Sequence, residues 1–99
     1  MDFLKPFKSV GDTTTLAVTA ANTQGTVMQY ASQVLITNAG PNTAFVRFGA
    51  AAATAAVATD LPILSGTSRV VTKDALGFVA AICAATQTAT LYLSPGEGV

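Results

Sequence analysis

The chain has no histidine, no tryptophan, one cysteine, and only 10% charged residues. Each shortage removes a class of function. General acid–base and triad catalysis usually run through histidine, so the usual proton-handling groups are nearly absent. A nucleophile–base pair could be assembled from Ser65 or Ser68 with Lys73, but no spacing selects it. Structural zinc needs several Cys or His ligands, which the chain lacks. Asp12, Asp60, Asp74 and Glu97 are scattered and follow no EF-hand spacing. No phosphate-binding loop or dinucleotide fingerprint is present. No cofactor and no metal are therefore expected, and an enzyme is the least favoured class. Missing tryptophan and sparse aromatics also weaken a glycan-binding or cell-surface module, since sugars are often held by aromatic stacking.

Cys83, standing alone, can form no internal disulfide. Its neighbours in Phe-Val-Ala-Ala-Ile-Cys-Ala-Ala are apolar, which marks it as a small buried hydrophobe rather than a reactive thiol. Lys+Arg and Asp+Glu are both five, so the formal net charge is zero. Nucleic-acid binding draws on a surplus of Lys and Arg to displace phosphate counterions, and no surplus exists. Long apolar runs are missing too. Phe78 to Ala85 falls far short of the roughly 20 residues of a membrane helix. Asp2, Lys5, Pro6 and Lys8 break up the first ten residues, so no signal peptide is expected.

What is present is apolar: 51% of the residues are hydrophobic. A free domain of this mass would expose about 5,200 Å². The charged residues then stand at about one per 500 Å², against a usual composition of about a quarter charged. Such a surface is poorly defended against association. The composition implies one small domain that lives against neighbours, copies of itself included.

Alternating runs between turn signals imply strands. Thr15 to Ala20 alternates Leu16, Val18 and Ala20 against Thr15, Ala17 and Thr19. Asn22 to Gly25 reads as a turn, and Val27 to Tyr30 as a short strand. Gln33 to Asn38 and Thr43 to Gly49 read as antiparallel strands joined by a turn at Ala39-Gly40-Pro41-Asn42. Ala44, Val46 and Phe48 should share one face of the second. Gly49 to Asp60 is alanine-rich, but its β-branched Thr54, Val57 and Thr59 and its missing charged face favour a loop leading into a short strand over a helix. Pro62 lacks an amide donor, so Leu61 to Leu64 belongs at an edge or a strand start. Thr67 to Lys73 is a further strand. Phe78 to Ala84 is unbroken and apolar, as in a strand covered on both faces. Thr88 to Ser94 alternates Ala89, Leu91 and Leu93 against Thr90 and Tyr92, and Pro95 to Gly98 ends the domain. The expected fold is all-β: an antiparallel β-sandwich of jelly-roll type over residues 11–99.

Residues 1–10 differ. They lack alternation and read as a frayed terminus or as an extended N-terminal arm, in which Phe3, Leu4 and Phe7 would be exposed if unattached. The arm, with Lys5 and Lys8, is a candidate contact with a neighbouring subunit. Arg47 and Arg69 are charges inside strand patterns. Each suits a solvated face, a block on edge pairing, or an ion pair across an interface, to Asp60 or Asp74 of a neighbour in the case of Arg47. Strands absorb most of the apolar excess as core. Phe3, Leu4, Phe7 and the 49–58 segment remain as expected contacts.

The run Val34-Leu-Ile-Thr-Asn-Ala-Gly-Pro-Asn-Thr-Ala-Phe-Val-Arg-Phe-Gly49, then Asp60-Leu-Pro-Ile-Leu-Ser-Gly66 and Ala89-Thr-Leu-Tyr-Leu-Ser-Pro-Gly-Glu-Gly98, resembles small virion proteins of tailed bacteriophages. The likeness covers Val34 to Val99 and lies in strand and turn pattern, with no catalytic signature. It implies a non-enzymatic β-sandwich that decorates or cements a capsid. Such a protein is made in the host cytoplasm, sits on the shell surface, and has the major capsid protein and copies of itself as partners. A tail, adaptor or fibre-associated component is the alternative. No nucleic acid and no membrane are expected as partners.

Overall fold

The computed structural model describes residues 8–27, 31–51, 56 and 60–97. Within them the chain forms strands and no helix. In chain order these are β1 (Lys8–Ser9), β2 (Thr14–Val18), β3 (Thr23–Thr26), β4 (Gln33–Pro41), β5 (Ala44–Gly49), β6 (Leu61–Ile63), β7 (Ser68–Thr72), β8 (Phe78–Cys83) and β9 (Ala89–Glu97). All pairings are antiparallel. One sheet runs β2-β9-β4-β7, with β1 beside the far end of β9, and the second runs β3-β8-β5-β6. The pairings nest: β5 with β6, β4 with β7, β3 with β8, β2 with β9. Successive pairs fall in alternate sheets, so the chain crosses between layers at almost every connection.

The period-2 patterns explain the layering. Leu16, Val18, Val34, Ile36, Leu91 and Leu93 come from the first sheet, and Ala44, Val46, Ile63, Val79, Ala81 and Cys83 from the second. They meet in one core between the sheets, a sandwich-like arrangement. Burying each Val, Leu or Ile side chain is worth about 1.5–3 kcal/mol, far more than an exposed ion pair. Apolar alternation, not charge, holds this fold. β8 is covered on both sides: Val79, Ala80 and Ala81 are all buried. Pro62 sits in β6, the edge of its sheet, where a missing N–H costs no ladder bond.

Four expectations need correction. The run Gln33 to Asn38 and its return strand are not neighbours, because β4 and β5 lie in different sheets. Both carry an apolar inner side, and these sides face each other across the core instead of lying side by side. The turn expected at Ala39 to Asn42 is instead the end of β4, with a register shift between Asn38 and Pro41. Buried Asn38 holds this corner. Its Nδ2 donates to the carbonyls of Asn42 and Ile63, both at 2.8 Å, and its Oδ1 accepts from the Gly40 N–H at 2.7 Å. The turn expected at Asn22 to Gly25 is largely strand β3, and Val27 lies just after it. Gly25 is there for close approach: a Cβ on it would stand 2.8 Å from Leu16 Cδ2. Finally, β9 continues through Pro95 to Glu97, because β4 and β1 both pair with that stretch.

Of the N-terminal arm, Lys8 and Ser9 pair with Glu97 and Gly96. Phe3, Leu4, Lys5 and Phe7 lie outside the described residues, as does most of the short strand expected at Val27 to Tyr30. Among the described residues of the alanine-rich segment, Gly49 closes β5 and the others are in no strand.

Candidate interaction surface

The two sheets present opposite kinds of outer face. On the β2-β9-β4-β7 sheet, register sets the outward side chains in rows. One row runs Thr15, Tyr92, Thr37 and Ser68, and the next runs Ser94, Leu35 and Val70. Ala17 with Thr90 and Gln33 with Thr72 flank them. Among the described residues, no strand residue on this face carries a charge. Hydroxyls tie neighbouring strands together within the rows: Thr37 Oγ1 and Ser68 Oγ stand 2.9 Å apart, and Thr13 Oγ1 and Ser94 Oγ 2.8 Å apart. Tyr92, at 42% exposure, is one of the large apolar side chains left in solvent. The face is uncharged, partly apolar and braced by its own hydroxyl bonds.

The β3-β8-β5-β6 sheet carries Phe45, Ile82, Pro62, Ala80, Phe78 and Arg47 on its outer side. This side is partly closed by the chain itself. Ala80 is fully buried although it points away from the core. Ala56, in the β5–β6 connection, is also buried, and its N–H donates at 2.8 Å to Asn22 Oδ1 near β3, the edge away from β6. Arg47 projects from the same side. Its Nε and Nη2 donate to Asp60 Oδ1 at 3.1 and 2.9 Å. Asp60 is thus its partner within the chain.

The other sequence candidates scatter. Lys8 lies at the β1–β9 end of the first sheet. Arg69 is exposed on the edge strand β7, opposite buried Ile36, and has no ion-pair partner among the described residues. The structure brings neither Ser65 nor Ser68 to Lys73. Ser68 meets Thr37 on the outer face, whereas the Lys73 ammonium is buried and donates to the carbonyls of Ala31 (2.7 Å), Leu76 (3.0 Å) and Asp74 (3.3 Å). Burial pushes the Lys73 pKa down, and the adjacent Asp74 carboxylate opposes this. Through these carbonyls the ammonium ties the segment before β4 to the β7–β8 turn. Nothing in the sequence marks Lys73 for that role, because turn-opening lysines are usually solvated.

Burial also pushes the Cys83 thiol up, away from the reactive thiolate. Among the described residues no three His, Cys, Asp or Glu side chains gather, and no helix is long and apolar enough to cross a membrane. A groove of about 280 Å³ is lined by Thr26, Val27, Ala50, Ala75, Gly77 and Phe78, none of them titratable. No family model, curated protein or solved structure matches the chain, so the phage resemblance rests on the quoted residues alone.

Proposed function

We propose that this chain is a non-enzymatic structural protein of a tailed-phage virion, a capsid decoration (cement) protein that stabilises the shell by bridging major capsid subunits. The observation that carries the reading is the charge-free outer face of the β2-β9-β4-β7 sheet. A face of Thr, Ser, Gln, Ala, Leu, Val and Tyr costs little to desolvate and opposes no partner charge. It binds by contact rather than by steering.

Size sets the mechanism. Four strands about 4.8 Å apart and about five residues long project roughly 330 Å². A stable interface needs about 800 Å² per partner. One face therefore holds weakly, and binding needs a second contact and many copies on a repeating lattice. The N-terminal arm, with Phe3, Leu4 and Phe7, is that second contact in this reading, and Lys5 and Lys8 flank it. The nested pairings and the sheet orders β2-β9-β4-β7 and β3-β8-β5-β6 support a jelly roll.

The test is cryo-EM of tailed-phage particles that carry this chain. The expected result is sandwich-shaped density on the outside of the shell at repeating symmetry positions. Density in the tail, or absence from the particle, overturns the reading. Shell occupancy should change less than about twofold from low to high salt, because few ion pairs form.

A further inference from the structure

We infer that two copies of this chain join edge to edge through β7, which extends the uncharged face across a two-fold axis. The inference deepens the decoration reading by naming how copies meet.

The edges of the first sheet are unequal. β2 is closed at its corner by β3: Thr14 Oγ1 donates to the Thr26 carbonyl, and Gly25 packs under Leu16. β7 packs substantially against β4 alone. On its other side, the backbone groups of residues 68–72 have no hydrogen-bond partner among the described residues. Edge strands are usually blunted by proline, shortness or charge. β6 has Pro62 and three residues. β7 has five residues, no proline and a Val70-Val71 centre, with Arg69 as its one charge. Leu64, 58% exposed, lies on the turn that leads into this edge.

Self-pairing leaves few registers. A two-fold axis normal to the sheet keeps outer faces outer, so each residue must meet one of its own parity. Centring on Arg69 would oppose two guanidinium groups, and centring on Val71 would oppose Arg69 with Lys73. Like charges directly opposite are destabilising. Centring on Val70 sets Val70 against Val70, Arg69 against Val71, and Ser68 against Thr72, with no like charges opposed. The joined sheet carries an uncharged face of roughly 650 Å² in projection, close to the scale of a stable contact.

The test is sedimentation equilibrium of the purified full chain without particles, so its outcome is separate from that of the decoration reading. The expected species has twice the 10.0 kDa chain mass. Val70→Lys and Val70→Glu should each weaken the dimer about tenfold, and mixing the two should restore it. Ala17→Lys, at the β2 edge, should leave it unchanged. Val70→Cys should cross-link under mild oxidation, since the native Cys83 is buried. A wild-type monomer at all concentrations, dissociation by Ala17→Lys but not by the Val70 variants, or a dimer that Val70→Cys fails to cross-link would each overturn the inference. Thermal melts confirm that each variant is folded, and the Val70→Cys cross-link reads the register even if the charged variants fold poorly.

Discussion

The two outer faces differ in what covers them. On the β3-β8-β5-β6 sheet the chain covers part of its own surface: Ala80 is buried, Ala56 is anchored to Asn22, and Arg47 is tied to Asp60. On the outer side of the β2-β9-β4-β7 sheet, Thr37 bonds to Ser68 and Thr13 to Ser94, and Tyr92 stands in solvent. Similar strand chemistry thus gives one face partly covered by the chain and one that in the proposed reading meets a partner. Among the described strand residues, the outer side of the first sheet carries no charge, and the one charge on the outer side of the second, Arg47, is paired with Asp60.

The largest expected effect comes from placing a carboxylate at a central outward position of each sheet. Ala80→Asp buries an unpaired charge and should cost about 3 kcal/mol or more, or prevent folding. Thr37→Asp loses a hydroxyl contact and should cost under about 1 kcal/mol. Urea denaturation of both variants measures the gap, and equal losses would erase the distinction between the faces.

Lys73→Met comes next. It leaves buried carbonyls without their donor and should cost about 2–4 kcal/mol. The ionisation has a definite sign. The folded pKa lies below the ordinary 10.5, so between the two values the unfolded chain holds the proton that the folded chain has lost. Stability from this group therefore rises with pH through that window, and the full penalty applies below it. The stability difference between wild type and Lys73→Met should grow as pH climbs toward 10.5. A flat difference would show that the amine titrates normally.

Smaller effects sharpen the contrast. Arg47→Ala removes a half-exposed ion pair and should change stability by under about 1 kcal/mol, with no change in particle binding. Cys83 should resist iodoacetamide in the folded protein and react on unfolding. Rapid alkylation of the native chain would mean that the core opens locally.

Strand identity was legible where alternation was clean. Leu16 and Val18 in β2, Ala44 and Val46 in β5, and Leu91 and Leu93 in β9 all point inward as their patterns imply. Pro62 marked an edge, and the unbroken run of β8 marked a strand covered on both sides. Strand partnership was not legible. Loop length suggested that β4 and β5 pair, but the side chain of Asn38 turns the chain into the other layer, and asparagine in a turn-like context does not announce this. Gly25 was misread for a related reason. Glycine suits both a turn and a tight approach between layers, and only the position of Leu16 separates them. The outward rows of the first sheet needed the register, since β2, β9, β4 and β7 are far apart in sequence. Arg47 was legible as a charge in a strand, but its ion pair was expected across an interface, and the fold sets Asp60 beside it in the same chain.

The most direct measurement is hydroxyl-radical footprinting of the chain free and bound to phage particles. Tyr92 and Leu35 should be protected on binding, with Phe45, Pro62 and Ile82 unchanged. Protection of Phe45, Pro62 and Ile82 while Tyr92 and Leu35 stay reactive would contradict binding through the uncharged face.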